Sequence, residues 1–241
     1  DYVKFRKRTP DLCVPEHQKS KRRDTPWGEM SYIDYKRRVE FEEEQYNEID
    51  DYCKLKKVNW FASAWDKPSV DFLSKYSGMV KIPSALISDT ELVRYARSKN
   101  DFVMISTGMS TESEVENAVE CCDADLIFHT NSTYPSPPED LNLGYISWLQ
   151  NKYPEKQIGY SGHEYGLVTT WATIAMGVSW IERHLTLDRS MWGSDHLSSV
   201  EPVGLFKLVR GIRDIESALS SGNSPRVLLK GEDAKKSSLR K

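Results

Sequence analysis

Short apolar runs and amphipathic stretches alternate along this chain, and their periods predict strands and helices in turn. Seven runs are short and mostly apolar, as strands buried on both faces are. They span residues 2–5, 59–64, 79–82, 102–106, 124–129, 157–161 and 180–184. Apolar residues recur at helical spacing in 33–57, in 205–219, and in 111–122, where Thr111-x-x-Glu114 forms a capping box.

The order of these elements predicts an α/β fold, a (β/α)8 TIM barrel that lacks its first strand. An open, doubly wound sheet is the competing interpretation, but the glycine-rich turn that marks its first strand is absent from the sequence. Because residues 1–5 already read as a strand in progress, we expect the missing strand to lie before residue 1. Such a barrel would expose two sheet edges. We expect the barrel domain to span residues 1–220, with a polar, basic linker or tail at 221–241.

Polar side chains follow each predicted strand, where barrel enzymes carry their catalytic groups. One group suits a phosphate, because two lysines end strands beside several hydroxyls. Its members are Lys4, Lys81, Ser84, Thr107, Ser132 and Ser161. The turn at 107–109 also leads into a predicted helix N-terminus, a favourable place for an anion. Either lysine alone could instead be a structural residue whose ammonium group reaches solvent.

A second group of strand-end residues could bind a divalent metal. His163 and His184 follow neighbouring strands, and two histidines can hold an ion while leaving positions open for water or substrate. Further candidates are Glu182, His129, Asp195 and His196. Glu182 and His184 lie two apart on one strand and so face the same side. For His129 a structural hydrogen bond is the preferred interpretation.

Composition and charge limit the classes of function that this chain could have. The 241 residues are 39% hydrophobic and 29% charged, which allows a sizeable core. The formal net charge of −3 gives no argument for nucleic-acid binding. We expect no signal peptide and no membrane span, and the 4 cysteines, which form no CxxC pair, indicate a reduced, cytoplasmic setting. The basic run 19–23 predicts a solvated loop, with a phosphate or partner patch as the alternative.

Short motifs run in order from the first residue to about Ala218. They are Val3-Lys4-Phe5, Thr25-Pro26-Trp27-Gly28, Lys81-Ile82-Pro83-Ser84, Ser106-Thr107-Gly108-Met109, His129-Thr130, Tyr134-Pro135, Gly159-Tyr160-Ser161-Gly162-His163, Glu182-Arg183-His184 and Ser199-Val200-Glu201-Pro202. Each motif is weak alone. The ordered set resembles the N-acetylneuraminate (sialic acid) synthase family, the NeuB type.

The resemblance implies a (β/α)8 barrel followed by a small antifreeze-like domain that reaches the partner's site in a homodimer. It implies a C–C bond-forming transferase that condenses phosphoenolpyruvate with an open-chain N-acetylated amino sugar. The products would be a nine-carbon 2-keto sugar acid and phosphate, and the cofactor a divalent metal, Mn²⁺ or Mg²⁺. It also implies that the lysine and hydroxyl group named above holds phosphoenolpyruvate, that His163 and His184 bind the metal, and that Tyr134 lies near the sugar.

Two departures from the family pattern leave the acceptor sugar open. No acid follows the Lys81 motif until Asp89, where the family usually has a glutamate that contacts the sugar. Arg6, a further candidate for substrate binding, stands where a glutamine is usual. N-acetylmannosamine is the default acceptor, and a legionaminic- or pseudaminic-type precursor is the alternative. A metal-dependent hydrolase or isomerase, and a non-catalytic barrel that binds a sugar phosphate or a partner protein, remain competing hypotheses.

Overall fold

Seven parallel strands form one curled sheet in a computed structural model, which describes residues 1–220, 225–229 and 231–240. The strands of this sheet are β1 (Tyr2–Lys7), β4 (Asn59–Ala64), β5 (Met79–Ile82), β6 (Phe102–Ser106), β7 (Leu126–Thr130), β8 (Gln157–Gly162) and β9 (Trp180–Arg183), while β2 (Arg22–Thr25) and β3 (Gly28–Ser31) form a separate antiparallel hairpin. Each strand of the sheet pairs with the next one along the chain.

This consecutive strand order decides between the two predicted architectures. A doubly wound sheet reverses its strand order at a switch point, and this sheet does not. The barrel prediction is therefore confirmed, in the form of a curled, incomplete barrel. Within the described ranges, β1 and β9 are the two edges and neither pairs with a further strand.

Helices accompany the sheet and the hairpin, and those from the fourth to the ninth pack directly against strands of the sheet. They are α1 (Pro10–Cys13), α2 (Glu16–Lys19), α3 (Tyr32–Arg38), α4 (Glu43–Lys56), α5 (Lys67–Leu73), α6 (Thr90–Lys99), α7 (Glu112–Cys122), α8 (Gly144–Lys152), α9 (Val168–Ala175), α10 (Pro202–Leu219) and α11 (Glu232–Leu239). None of the helices in the described residues has the length and apolar composition needed to cross a membrane.

Several predicted boundaries are wrong. The single helix predicted at 33–57 is two helices, because the carboxylate of Glu40 between them binds the backbone N and Nε of Arg8 at 3.0 and 2.8 Å. A capping box between Glu42 and Gln45 then begins α4. The strand predicted at 124–129 lies at 126–130, and β1 continues to Lys7. Residues 20–23 of the basic run are exposed as expected and Lys19 is half-buried, but the last two residues of the run belong to strand β2.

The apolar stripe predicted at 205–219 lies on α10, although it is less buried than its pattern indicates. Leu208 is the buried residue of this helix, while Leu205 and Val209 are 37% and 46% exposed. Helix α9 packs against α10 through Trp171. On α10, a Cβ at Gly211 would lie 2.5 Å from the indole ring of Trp171, so glycine at this position permits the contact. The predicted tail contains α11, and its residues 221–224, 230 and 241 lie outside the described residues.

Two apolar clusters hold the barrel together. The larger lies between the sheet and the helices, and the smaller fills the barrel interior with Phe61, Met104, Leu126 and Phe128. Because side chains alternate across a strand, every second residue points inward. Along the strand direction these inward positions change from apolar to polar, so polar groups collect at the carboxyl ends of the strands.

Candidate active site

A carboxylate joins two lysines from different strands inside the barrel. Glu182 Oε1 lies 2.6 Å from Lys4 Nζ, and its Oε2 lies 2.7 Å from Lys81 Nζ. Ser161 Oγ donates a further hydrogen bond to Oε1 at 3.1 Å. Three strands, β1, β5 and β9, thus place their charges at one point, and Lys4 and Lys81 lie together as the sequence predicted.

This triad carries a net positive charge. The two neighbouring ammonium groups hold the pKa of Glu182 far below its usual range despite the cost of burial. Burial lowers the pKa of Lys81, and Glu182 opposes that effect. We take Lys81 as protonated, because its nitrogen lies 2.7 Å from an ionised carboxylate. Two positive charges and one negative charge leave an excess that suits an anionic ligand.

Phe128 forms the floor under Lys81. The ammonium nitrogen lies 4.2 Å from the centre of the Phe128 ring, a cation–π contact. Gly159 on β8 makes room for this ring, because a Cβ there would lie 2.7 Å from two of its carbons. Lys81 is therefore held from below by an aromatic face and from the side by Glu182.

Further hydroxyls converge at the ends of β5, β6 and β7. Ser84 Oγ accepts a hydrogen bond from Gly108 N at 3.1 Å, and Thr107 Oγ1 accepts one from Thr130 N at 3.4 Å. A Cβ at Gly108 would lie 2.8 Å from Ser84 Oγ and would clash with Ser132 Oγ. Glycine at this position thus lets two hydroxyls approach the backbone. A cavity of about 540 Å³ opens beside them, lined by residues that include Thr107, Gly108 and Ser132.

The two predicted histidines lie side by side, next to Tyr134. Their ring centres are 5.2 Å apart, and the Tyr134 ring lies 4.2 Å from that of His163 and 5.8 Å from that of His184. His163 Nδ1 lies 2.6 Å from the carbonyl oxygen of Asn131, so Nδ1 carries the proton and Nε2 keeps a free lone pair.

Burial keeps both imidazoles neutral at pH 7. It lowers the pKa of His163, and, together with the nearby charge of Lys4, it lowers the pKa of His184. Burial also raises the pKa of Tyr134 to about 12, so its hydroxyl remains a hydrogen-bond donor. The neutral form is the one in which an imidazole binds a metal.

The remaining metal-ligand candidates separate in the structure. Glu182 belongs to the lysine triad, and both of its oxygens are occupied there. His129 Nε2 lies 2.7 Å from the carbonyl oxygen of Leu141, as a structural histidine would, and His196 contacts the hydroxyl of Thr186. Asp195 stays near the pair, with Oδ2 3.8 Å from His184 Nδ1.

The sequence matches a known family over most of its length. The NeuB family model matches residues 1–224. The chain belongs to the NeuB family. N-acetylneuraminate-9-phosphate synthase of Drosophila melanogaster is 37% identical over 199 residues, which cover 80% of this chain and 53% of that protein. N,N'-diacetyllegionaminic acid synthase of Legionella pneumophila is 30% identical over 238 residues, which cover 92% of this chain and 65% of that protein.

A solved structure supports the same assignment. N-acetylneuraminic acid synthetase from Leptospira borgpetersenii, crystallised with citrate, aligns with a TM-score of 0.84 and 28% identity. The alignment covers 100% of this chain and 82% of that one. The chain spans about half the length of its Drosophila relative, at 53%.

Residues that the sequence did not assign complete this NeuB-family site. Asn131 orients His163 through its backbone carbonyl, which no side-chain pattern can reveal. Arg6 lies 5.7 Å from the ring of Trp65, and burial, followed by the charges of Arg8, Arg6 and Arg23, lowers the pKa of Lys36 on α3. Of these residues, Arg6 was a sequence candidate for substrate binding, Arg23 lies in the basic run 19–23, and Lys36 was not assigned.

Proposed function

We propose that this chain is the catalytic barrel of a sialic-acid-type synthase. It condenses phosphoenolpyruvate with an open-chain N-acetylated amino sugar, by default N-acetylmannosamine, and releases phosphate. The triad of Lys4, Glu182 and Lys81 carries the proposal, because two lysines held by one carboxylate form a preorganised anion site beside hydroxyls. The family assignment and the names of the relatives support the same reaction class.

In this proposal the triad and its hydroxyls hold phosphoenolpyruvate. The ligand brings a phosphate and a carboxylate, and both groups match the excess positive charge beside Glu182. Glu182 keeps Lys4 and Lys81 in place before the ligand arrives, so that little reorganisation is needed on binding. Ser84, Ser132 and Thr107 supply further hydrogen bonds at the strand ends.

The proposed reaction consumes phosphoenolpyruvate, the sugar aldehyde and one water molecule. C3 of phosphoenolpyruvate forms a bond to the aldehyde carbon of the sugar, and positive charge develops at C2. Water adds to C2, and the bond between C2 and the phosphate oxygen breaks. One water proton passes to the former aldehyde oxygen and the other leaves with the phosphate. Lys4 and Lys81 stabilise the departing charge throughout, and Tyr134 donates a hydrogen bond to a sugar oxygen.

A divalent metal, Mn²⁺ or Mg²⁺, belongs to this proposal, with His163 and His184 as its protein ligands. The residues fit, because both imidazoles are neutral and His163 presents a free Nε2. Within the described residues, no three His, Cys, Asp or Glu side chains are grouped to hold an ion together. Two protein ligands leave the other positions to substrate and water. When bound, the metal would polarise the aldehyde as a Lewis acid.

The test is phosphate release from phosphoenolpyruvate with Mn²⁺, with and without N-acetylmannosamine. We expect release that depends on the sugar and falls about 100-fold or more in Lys81→Met, on the scale of deleting an oxyanion-stabilising donor. Lys207→Met, on the exposed side of α10, is the matched control and should keep full activity. Far-UV circular dichroism checks that both variants fold.

Three results would favour the competing hypotheses. Activity that survives Lys81→Met would indicate another kind of metal-dependent barrel enzyme. Binding of phosphoenolpyruvate without phosphate release, across a panel of amino sugars, would indicate a binding protein. Release with a legionaminic- or pseudaminic-type precursor alone would change the acceptor; the Legionella relative, which matches 92% of this chain, favours keeping that sugar in the panel.

A further inference from the structure

Strand pairing between β8 and β9 stops just before the two histidines. The last paired residues are Gly162 and Arg183, each one position ahead of a histidine. The ladder of these two strands therefore does not include His163 and His184, although their ring centres lie only 5.2 Å apart. Beyond the ladder, the side chains of Glu164 and Arg183 connect the two segments of chain.

Glu164 and Arg183 form a buried ion pair with forked contacts. Arg183 Nη1 lies 3.2 Å from Glu164 Oε1, and the two side chains are 3% and 1% exposed. Nη2 donates a hydrogen bond to the backbone oxygen of Glu164 at 2.7 Å, and Nη1 donates another to the backbone oxygen of Gly166 at 2.8 Å. One guanidinium on β9 thus binds the side chain and the backbone of the residue that follows His163. A lysine, with its single ammonium group, cannot reproduce this fork.

Hydroxyl groups fix the orientation of the Glu164 carboxylate. Thr170 Oγ1 donates a hydrogen bond to Oε1 at 2.6 Å, and the hydroxyl of Tyr160 donates one to Oε2 at 2.9 Å. Thr170 Oγ1 also accepts a hydrogen bond from Arg183 Nη1 at 2.8 Å. Gly162 leaves room for the carboxylate, because a Cβ there would lie 2.5 Å from Glu164 Oε2. The pair is therefore held in one arrangement from several sides.

This ion pair lies outside the reaction site. Glu164 contacts Tyr160, a member of the apolar cluster between the sheet and the helices, whereas Glu182 beside Arg183 faces the barrel interior. Side chains alternate along a strand, so Arg183 points away from the face that carries Glu182 and His184. Burying two charges costs about as much as their attraction returns, and stability alone therefore does not account for the pair.

We propose that Glu164 and Arg183, which we call the clamp, are positioning residues that set the spacing of His163 and His184 for a divalent metal. The inference rests on the proposed function, which assigns the metal to these histidines. Each member of the clamp is joined to one histidine by a single peptide bond, since Glu164 follows His163 and Arg183 precedes His184. Across the described residues, no group of three side chains of the metal-binding types is available to hold the ion. The spacing of the two histidines therefore decides how well the protein binds it.

The test is the Kd for Mn²⁺, measured by electron paramagnetic resonance of the free ion. Glu164→Gln/Arg183→Met removes both charges together, so that neither is left buried without its partner. We expect the Kd to rise about tenfold or more, as when groups that orient metal ligands are lost. Arg183→Lys keeps the charge but not the fork, and it carries the same expectation if the double variant does not fold.

A second ion pair supplies the matched control. Arg97 pairs with Asp125, which lies directly before β7 and thus at the end of the sheet opposite the histidines. Arg97→Met/Asp125→Asn removes the same kinds of charge. It should leave the Kd for Mn²⁺ equal to that of the unaltered chain, whatever its effect on urea unfolding.

A purely structural clamp would give a different result. Its variants would lose stability in urea and keep the Mn²⁺ affinity of the unaltered chain, which would overturn the inference while the proposed function stands. In phosphate release, we expect the KM for Mn²⁺ to rise and kcat to recover at saturating Mn²⁺; a lower kcat with an unchanged KM for Mn²⁺ would also overturn it. If His184→Ala binds Mn²⁺ as tightly as the unaltered chain, the metal assignment in the proposed function fails, and the inference fails with it.

Discussion

Replacing Glu182 with glutamine tests whether the triad is an electrostatic unit. The substitution keeps the shape of the side chain and removes the charge between two lysines. Lys81 is 3% exposed and Glu182 is 12% exposed, so the variant leaves a buried ammonium group without its counter-charge. Removing one partner of a buried ion pair costs about 3–5 kcal/mol. Because the glutamine oxygen still accepts one hydrogen bond, we expect a loss of about 3 kcal/mol at pH 7.

The pH dependence of this loss identifies its cause. Burial already lowers the pKa of Lys81, and without Glu182 its folded-state pKa falls further below the unfolded value. Between these two pKa values the unfolded chain binds more protons than the folded one, so the free energy of unfolding of the variant rises with pH. Each unit of pKa difference corresponds to about 1.4 kcal/mol. The stability deficit of Glu182→Gln should therefore shrink as pH rises from the folded-state pKa of Lys81 in the variant to its folded-state pKa in the unaltered chain, and it should stay constant at higher pH, where both chains gain stability alike.

Urea unfolding followed by tryptophan fluorescence measures both effects. Glu216→Gln is the control, because Glu216 is 49% exposed and pairs with Arg213 on the surface of α10. A surface pair of this kind contributes about 0–1 kcal/mol. A Glu182→Gln loss no larger than that of the control, or a loss that does not change with pH, would refute the assignment of a buried, charge-balanced triad.

Other predictions concern the packing around Phe128, the buried ion pair of Arg183 with Glu164, and the pKa of His163. Gly159→Ala should destabilise the fold by about 1–3 kcal/mol, because its Cβ would lie 2.7 Å from the Phe128 ring; Gly144→Ala, with no contact nearer than 4.0 Å, should not. Arg183→Gln should cost about 3–5 kcal/mol in urea unfolding, since Arg183 and Glu164 are 3% and 1% exposed. NMR titration should show His163 titrating below its usual pKa, because burial disfavours its charged form; a normal pKa would contradict the neutral pair.

The fold was largely predictable because its strands carry simple signals. Strands buried on both faces produce apolar runs, and seven such runs in order specify the parallel, consecutive sheet. The break between α3 and α4 was not predictable, because Glu40 leaves the helix to bind Arg8, a residue 32 positions away. Likewise, the exposure of Leu205 and Val209 depends on which elements cover α10, and helical periodicity alone does not contain that information.

The site was predictable as a set of residues but not as a set of roles, and Glu182 shows why. Side chains alternate between the two faces of a strand, and Glu182 and His184, two residues apart, share one face. They were therefore expected to act together. Two residues also separate their Cα atoms by about 7 Å along the strand. Glu182 pairs in register with Ser161 and lies at the level of the lysines, whereas His184 lies beside His163, nearer the mouth. Only the register between strands distinguishes these levels, which is why neighbours in one motif serve different layers of the barrel.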